Sequence, residues 1–200
     1  MKKILLVLSF IFACLLNIYG QKLDSLQLEN QTLFTSFEQT NTVSADSVYR
    51  LSFKHKLPDN FAQKIIKYPN LQELQLKNMK LKKVPEIVWQ LENLTVLDLS
   101  NNRLDSLSSQ IKNLVYLESL ILNRNYILTL PTEISYLSRL SYLDLWSNLI
   151  IDFPEEISKL ENSLKTVDMR VISMNEKHKE QLKKLLPNTR FLFSNSCNCK

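Results

Sequence analysis

Leucine returns at one interval along most of this chain, and that interval leaves few folds open. Leu71, Leu94, Leu117 and Leu140 stand 23 residues apart. In register the segments read Leu71-Gln-Glu-Leu74-Gln-Leu76, Leu94-Thr-Val-Leu97-Asp-Leu99, Leu117-Glu-Ser-Leu120-Ile-Leu122 and Leu140-Ser-Tyr-Leu143-Asp-Leu145. Each has a second half: Val84-Pro85 to Val88 and Leu91, Leu107 to Ile111 and Leu114, Leu130-Pro131 to Ile134 and Leu137, and Phe153-Pro154 to Ile157 and Leu160. Self-similarity at a fixed period of roughly 20 to 50 residues marks a repeat architecture. Alternate apolar residues predict a short strand with one buried face. Proline then caps or tightens the turn into a short helical return. One such unit buries too little apolar surface to offset the entropy of ordering it, so neighbours must stack.

The pattern resembles the leucine-rich-repeat family, in the form with a Leu-Pro-x-x-Ile-x-x-Leu return segment, over roughly residues 48 to 193. The resemblance implies an α/β fold: a right-handed solenoid with a short parallel sheet on its concave face, short helical or 3-10 returns on its convex face, and a cap at each end. It also implies a role for Asn102, Asn125 and Asn148, which hold the same place in successive repeats. In the family this asparagine forms a ladder, its amide bonding to buried backbone at the turn. Met79 holds that place in the first repeat, so the ladder is expected to start one repeat later.

Solenoid ends expose their core unless capped. At the front, Val48-Tyr-Arg-Leu51-Ser-Phe53 lies 23 residues before Leu71 and reads as a degenerate first repeat. Leu33, Phe34 and Phe37 ahead of it predict a capping helical turn, and the polar stretch 21–31 predicts loose chain. At the back, Leu164-Lys-Thr-Val167-Asp-Met169 is a fifth strand, one residue late, with Ile172 in place of the ladder asparagine. Asn175 reads as a helix N-cap with Glu176 behind it. Leu182, Leu185 and Leu186 give that helix an apolar face, Pro187 ends it, and Phe191–Phe193 predict a last strand. The organisation expected is a leader at 1–20, a polar segment and cap at 21–47, repeats at 48–174, a closing helix and strand at 175–193, and a tail at 194–200. So read, the chain closes on its own cap and leaves no room for a separate catalytic domain.

Lys2 and Lys3 precede an apolar run from Ile4 to Ile18 that only Ser9 and Asn17 interrupt. It is shorter than the ~20 residues a membrane span needs, and Gly20 offers cleavage before Gln21, so the start reads as an export signal. The product would be periplasmic, surface-bound or secreted. The same run left uncleaved would be an anchor helix, and Ala13-Cys14 leaves a third course open, a lipid on Cys14 that would anchor a structural envelope protein to the membrane. Losing the two leader lysines lowers the formal charge of +5 by two, too mild for the concentrated basic face that nucleic acid demands. Gly20 is the one glycine, which excludes phosphate-cradling loops and dinucleotide fingerprints. His55 and His178 are far apart in sequence, and Cys197 and Cys199 are the cysteines outside the leader. Neither set reaches the four ligands of a structural zinc site. No cofactor, metal or catalytic residue is expected.

Recognition remains. Strand alternation turns the residues between the leucines toward the concave surface, Glu73, Val96, Asp98, Ser100, Ile121, Tyr142, Asp144, Trp146, Asp168 and Arg170 among them. Tyr142 and Trp146 share one strand, Ile121 and Val96 lie on its neighbours, and Arg124 and Arg170 flank them. Aromatics with arginine match the composition of binding hot spots. Asp98, Asp144 and Asp168 align in one row, expected to be a solvated polar row or else one suited to a basic partner or a cation. The function expected is an exported, monomeric binding module whose concave face takes an unidentified protein, with a peptide or a glycan as the other ligand classes.

Overall fold

The computed structural model describes residues 22–194. The leader with Cys14 and Gly20, and the tail with Cys197 and Cys199, lie outside the described residues. The strands are β1 (Leu33–Phe34), β2 (Arg50–Lys54), β3 (Glu73–Lys77), β4 (Val96–Asp98), β5 (Ser119–Ile121), β6 (Tyr142–Asp144), β7 (Thr166–Met169) and β8 (Arg190–Phe193). They form one open sheet in chain order, every pair parallel. The leucine register becomes the sheet register: Leu51, Leu74, Leu97, Leu120, Leu143 and Val167 stand side by side. All six are fully buried.

The returns are 3-10 helices at Glu86–Gln90, Ser109–Asn113, Thr132–Tyr136 and Glu155–Leu160. Pro85, Pro131 and Pro154 precede three of them, with φ already near the helical value. Ser108 precedes the other, its hydroxyl accepting the Gln110 N–H at 3.2 Å. Between strand and return the chain turns through a left-handed residue at the same place in each coil: His55, Asn78, Asn101, Arg124, Ser147 and Val171. Asparagine tolerates that conformation, whereas a β-branched residue is strained by it.

The next residue carries the ladder. Asn102 donates to Leu76 O at 2.7 Å and Leu99 O at 2.9 Å, and its Oδ1 accepts the N–H groups of Met79 and Leu81 at 3.0 and 3.1 Å. Asn125 donates to Leu99 O and Leu122 O and accepts from Leu104 N–H. Asn148 repeats the pattern with Leu122 O, Leu145 O and Ile127 N–H. Each side chain thus satisfies backbone of its own coil and of the coil before it. Leucine at the strand positions repels water from the same turn, so the ladder amides stand in for it, and the carbonyls of Leu99 and Leu122 each take two of them.

The front cap differs from the sequence expectation. Leu33 and Phe34 extend the sheet as β1 and pair with Arg50 and Leu51. They do not form a helical turn. Phe37 turns inward against Phe53 and Phe61, with ring centroids 4.9 and 6.2 Å away. The stretch expected to be loose contains helix α1 (Ser25–Glu29). Its capping box explains this: Asp24 Oδ1 accepts the Gln27 N–H at 2.8 Å, and Gln27 Oε1 accepts the Asp24 N–H at 3.0 Å. Arg50 Nη1 donates to Glu29 O at 2.9 Å and ties the helix to the sheet. Helix α2 (Phe61–Ile65) replaces the return of the first coil. At the back, helix α3 (Glu176–Leu185) starts at Asn175, whose Oδ1 accepts the His178 N–H at 2.9 Å, and it buries Leu182.

Candidate recognition face

Three rows cross the outward face of the sheet. The first is Glu73, Val96, Ser119, Tyr142 and Thr166, and the second Gln75, Asp98, Ile121, Asp144 and Asp168. The third, just past the strands, holds Trp146 and Arg170, whose neighbourhood is fixed by backbone bonds: Arg124 N–H donates to Trp146 O at 2.8 Å and Ser147 N–H to Arg170 O at 3.0 Å.

Tyr142, Trp146, Asp144, Ile121, Arg124, Asp168 and Arg170 come together on the coils of β5 to β7. Val96 and Asp98 stand at the edge of this group on β4, Asp98 beside Ile121 but two strands from Tyr142 and Asp144. The centre is the indole of Trp146, half-buried, with the Arg124 guanidinium carbon 4.6 Å from its ring centroid. That separation is within cation–π range. Tyr142 is likewise half-buried, and burial raises its phenol pKa, with Asp144 and Asp168 adding to the shift.

The aspartate row is not solvated. Asp98, Asp144 and Asp168 are only 5, 8 and 2% exposed. The reason is the short side chain, which lets each carboxylate fold onto its own turn. Each accepts the backbone N–H two residues on, from Ser100 at 2.9 Å, Trp146 at 3.0 Å and Arg170 at 3.1 Å. Their remaining oxygens are also taken. Lys77 Nζ lies 3.2 Å from Asp98, and Asn123 Nδ2 donates to Asp144 at 2.6 Å. The Arg170 guanidinium clamps Asp168 through Nε and Nη2. Burial raises the pKa of Asp144, while the hydrogen bonds of Asn123 and Trp146 oppose it. At Asp168 the burial effect has the same sign, but the Arg170 bonds outweigh it and the carboxyl sits below its ordinary range. Glu73 and Ser100, also expected at the surface, are buried, Glu73 under an Arg50 contact of 2.6 Å. The carboxylates therefore orient Trp146 and Arg170, and no cluster of three or more possible metal ligands occurs among the described residues.

A run of exposed large apolar side chains lies elsewhere. Tyr126, Leu128, Leu149, Ile151 and Val171 project from the flank where each coil leaves the sheet. Concave-face reasoning passes over them, yet a signal was present: Tyr126 and Leu149, and Leu128 and Ile151, are each one repeat apart, at places where earlier coils carry Arg103 and Asp105.

The chain matches the family described as leucine-rich repeat region over residues 15–194. It belongs to the leucine-rich-repeat family. Leucine-rich repeats are a common protein–protein interaction module, typically without enzymatic activity of their own. No curated protein matches the chain. Among solved structures, a leucine-rich-repeat protein of Leptospira interrogans is similar at 30% identity and a TM-score of 0.69, over 83% of this chain and 47% of that one. The ectodomain of a plant membrane receptor kinase from Arabidopsis thaliana, in complex with Casparian strip integrity factor 2, is similar at 27% identity and a TM-score of 0.57. That match covers 80% of this chain and 19% of the receptor. An internalin of Listeria monocytogenes, at 16% identity and a TM-score of 0.52 over 83% of this chain and 54% of the internalin, shares the fold. This leucine-rich-repeat chain thus spans less than half of the Leptospira protein and about a fifth of the plant receptor.

Proposed function

We propose that this chain is an exported recognition module that binds a protein partner, or a peptide segment of one, through the β5–β7 part of its concave face. The observation that carries the reading is the Trp146–Arg124 pair. The backbone of Trp146 is bonded on both sides, and its half-buried indole is stacked under a guanidinium, so the ring meets a partner with less rotamer entropy to lose. Rigid aromatics beside arginine carry most of the energy of many interfaces. The plant receptor ectodomain in complex with its factor supports a protein ligand, and the apolar start from Ile4 to Ile18 supports export.

The test is a pull-down from native envelope and medium with the full chain beside a Tyr142→Ala/Trp146→Ala variant of matched Tm. A partner kept by wild type and lost by the variant is expected. A partner held equally by both overturns the assignment to this face. N-terminal sequencing of the secreted protein checks export: a start at or near Gln21 is expected, and retention in the cytoplasm overturns it.

A further inference from the structure

The flank carries a second surface. Past each ladder asparagine the chain runs extended and bonds to the coil before it. Arg103 N–H donates to Leu81 O at 2.8 Å, Tyr126 N–H to Leu104 O at 2.8 Å, Leu149 N–H to Ile127 O at 3.0 Å, and Ile151 N–H to Leu128 O at 2.9 Å. The coils are thus in register here too. Leu104, Ile127 and Ile150 point into the core and are fully or almost fully buried. Alternation forces the residues on either side outward. Tyr126, Leu128, Leu149 and Ile151 are accordingly 55, 45, 54 and 61% exposed. No rearrangement of the coil hides them, because the inward places are filled. Val171 continues the strip, and beyond it a cleft of about 390 Å³ opens between Leu149, Ile151, Val171 and Met174.

In the coils of the N-terminal half the same places hold Lys80, Lys82 and Arg103, all exposed. These cations make no ion pair among the described residues. Two exposed carboxylates share this rim, Asp105 at the Leu128 place and Asp152 beside Ile151, so cations outnumber acids there by three to two; Asp105 accepts the Ser106 hydroxyl at 2.7 Å, and Asp152 the Phe153 N–H at 2.8 Å. One rim therefore presents free cations at one end and uncovered aliphatic side chains with a tyrosine at the other. Contiguous exposed apolar surface of this kind marks a contact with a membrane or a partner. Cations beside aliphatic and aromatic side chains in one plane are what an anionic lipid surface selects.

We propose that this flank is a membrane-facing surface. The chain rests by it on an anionic bilayer, with Tyr126, Leu128, Leu149 and Ile151 entering the boundary between headgroups and acyl chains and Lys80, Lys82 and Arg103 lying on the headgroups. The concave face stays open to solvent, so the recognition proposed above is independent of this contact.

Hydroxyl-radical footprinting of the full chain, with and without vesicles of phosphatidylglycerol and phosphatidylcholine, tests it. Protection of Tyr126, Leu128, Leu149 and Ile151 is expected with the anionic vesicles and not with phosphatidylcholine alone. Tyr136, exposed on a convex return, should be unchanged. Leu149→Ser/Ile151→Ser, both at exposed positions, should lower vesicle co-sedimentation about tenfold, and Lys80→Gln/Lys82→Gln should remove most of its salt dependence. Protection by both vesicle types or neither, or equal sedimentation of the serine variant, overturns the proposal. Flank protection that grows with protein concentration in the absence of lipid overturns it in favour of a second copy of the chain.

Discussion

The coils around β2 to β4 and those around β5 to β7 have one backbone and two surfaces. In the first group ion pairs cross between strands, whereas the pair of the second, Arg170 with Asp168, lies within one turn. Arg50 meets Glu73 at 2.6 Å, Lys77 meets Asp98 at 3.2 Å, and the flank shows lysine and arginine. In the second, an indole lies under Arg124, and the flank shows tyrosine, leucine and isoleucine. Inward positions scarcely change in character between them: large, apolar and buried, with leucine at most of them. A solenoid can vary this way because each coil's stability is set by its inward residues and by its immediate neighbours. Outward positions are then free to differ, and the Trp146 face and the apolar part of the flank both fall in the second group.

If that division is right, a ladder substitution should be costly in either half, and it should be the largest effect. Asn125→Leu leaves the N–H of Leu104 without its partner and removes one of two donors from the carbonyls of Leu99 and Leu122, which keep Asn102 and Asn148. At ~1–3 kcal/mol for the buried group left unpaired, the loss should be about 2 kcal/mol or more. Asn102→Leu, which strips the Leu76 carbonyl and the N–H groups of Met79 and Leu81, and Asn148→Leu, which strips the Leu145 carbonyl and the Ile127 N–H, should cost at least as much, one per half. Urea unfolding measures all three. A large loss for one beside a negligible loss for another would show that the halves are not energetically alike.

Next is the clamp on the concave face. Asp168→Ala strips Arg170 of its carboxylate and leaves its backbone N–H unbonded, at about 2 kcal/mol for a charge-assisted contact of this kind. The pH dependence has a definite sign. The folded carboxyl of Asp168 is held below its ordinary range, so its contribution is present above the unfolded pKa and is lost as pH falls through the folded one. Stability of wild type should drop in acid more than that of Asp168→Ala. Parallel acid profiles would break the assignment.

Smaller again is the strain at the end of the repeats. Val171 has φ 58°, at the place where two earlier coils have Asn78 and Asn101 at 56° and 55°. Valine is among the worst residues for that conformation and asparagine among the best. Val171→Asn should therefore raise stability by about 1 kcal/mol. It removes one apolar residue from the flank, so vesicle binding should weaken slightly while the protein becomes more stable. A destabilised variant would mean that the Val171 side chain is used in packing.

The fold was legible because one interval fixed it: once Leu71, Leu94, Leu117 and Leu140 are aligned, the strands, returns and ladder follow from alternation and proline. The final helix was legible from Asn175 and Leu182 for similar local reasons. Sequence reasoning failed where a short range of residues gives no period. Helix α1 has a single buried leucine, Leu28, and rests on a capping box. Leu33 and Phe34 look alike as helix or strand until β2 is beside them. At the site, alternation named the face correctly but not exposure. It cannot tell a carboxylate that reaches solvent from one that bends back to its own turn, which is how Asp98, Asp144 and Asp168 came to be buried. The flank strip was missed because reading centred on the strands.

The smallest expected effect divides the aspartate row itself. Asp144 differs from Asp168 in having an amide, Asn123, where Asp168 has a guanidinium. Burial is the main influence on its pKa and raises it, with Asp168 and Asp98 adding to the shift. A folded pKa above the unfolded one reverses the linkage: the native state takes up the proton first, so stability grows as pH falls through the folded value and the gain is complete below the unfolded one. Asp144→Asn keeps an oxygen for the Trp146 N–H, and rotating the Asn123 amide supplies an acceptor for the new NH₂. At neutral pH the substitution should therefore change stability by less than about 1 kcal/mol, and the pH-dependent gain should disappear. Partner capture should survive, because both backbone bonds of Trp146 and the Arg124 stack on its indole are kept. A loss of several kcal/mol would instead show that the Asp144 charge holds the β5–β7 face together, and the contrast between the two carboxylates would fall.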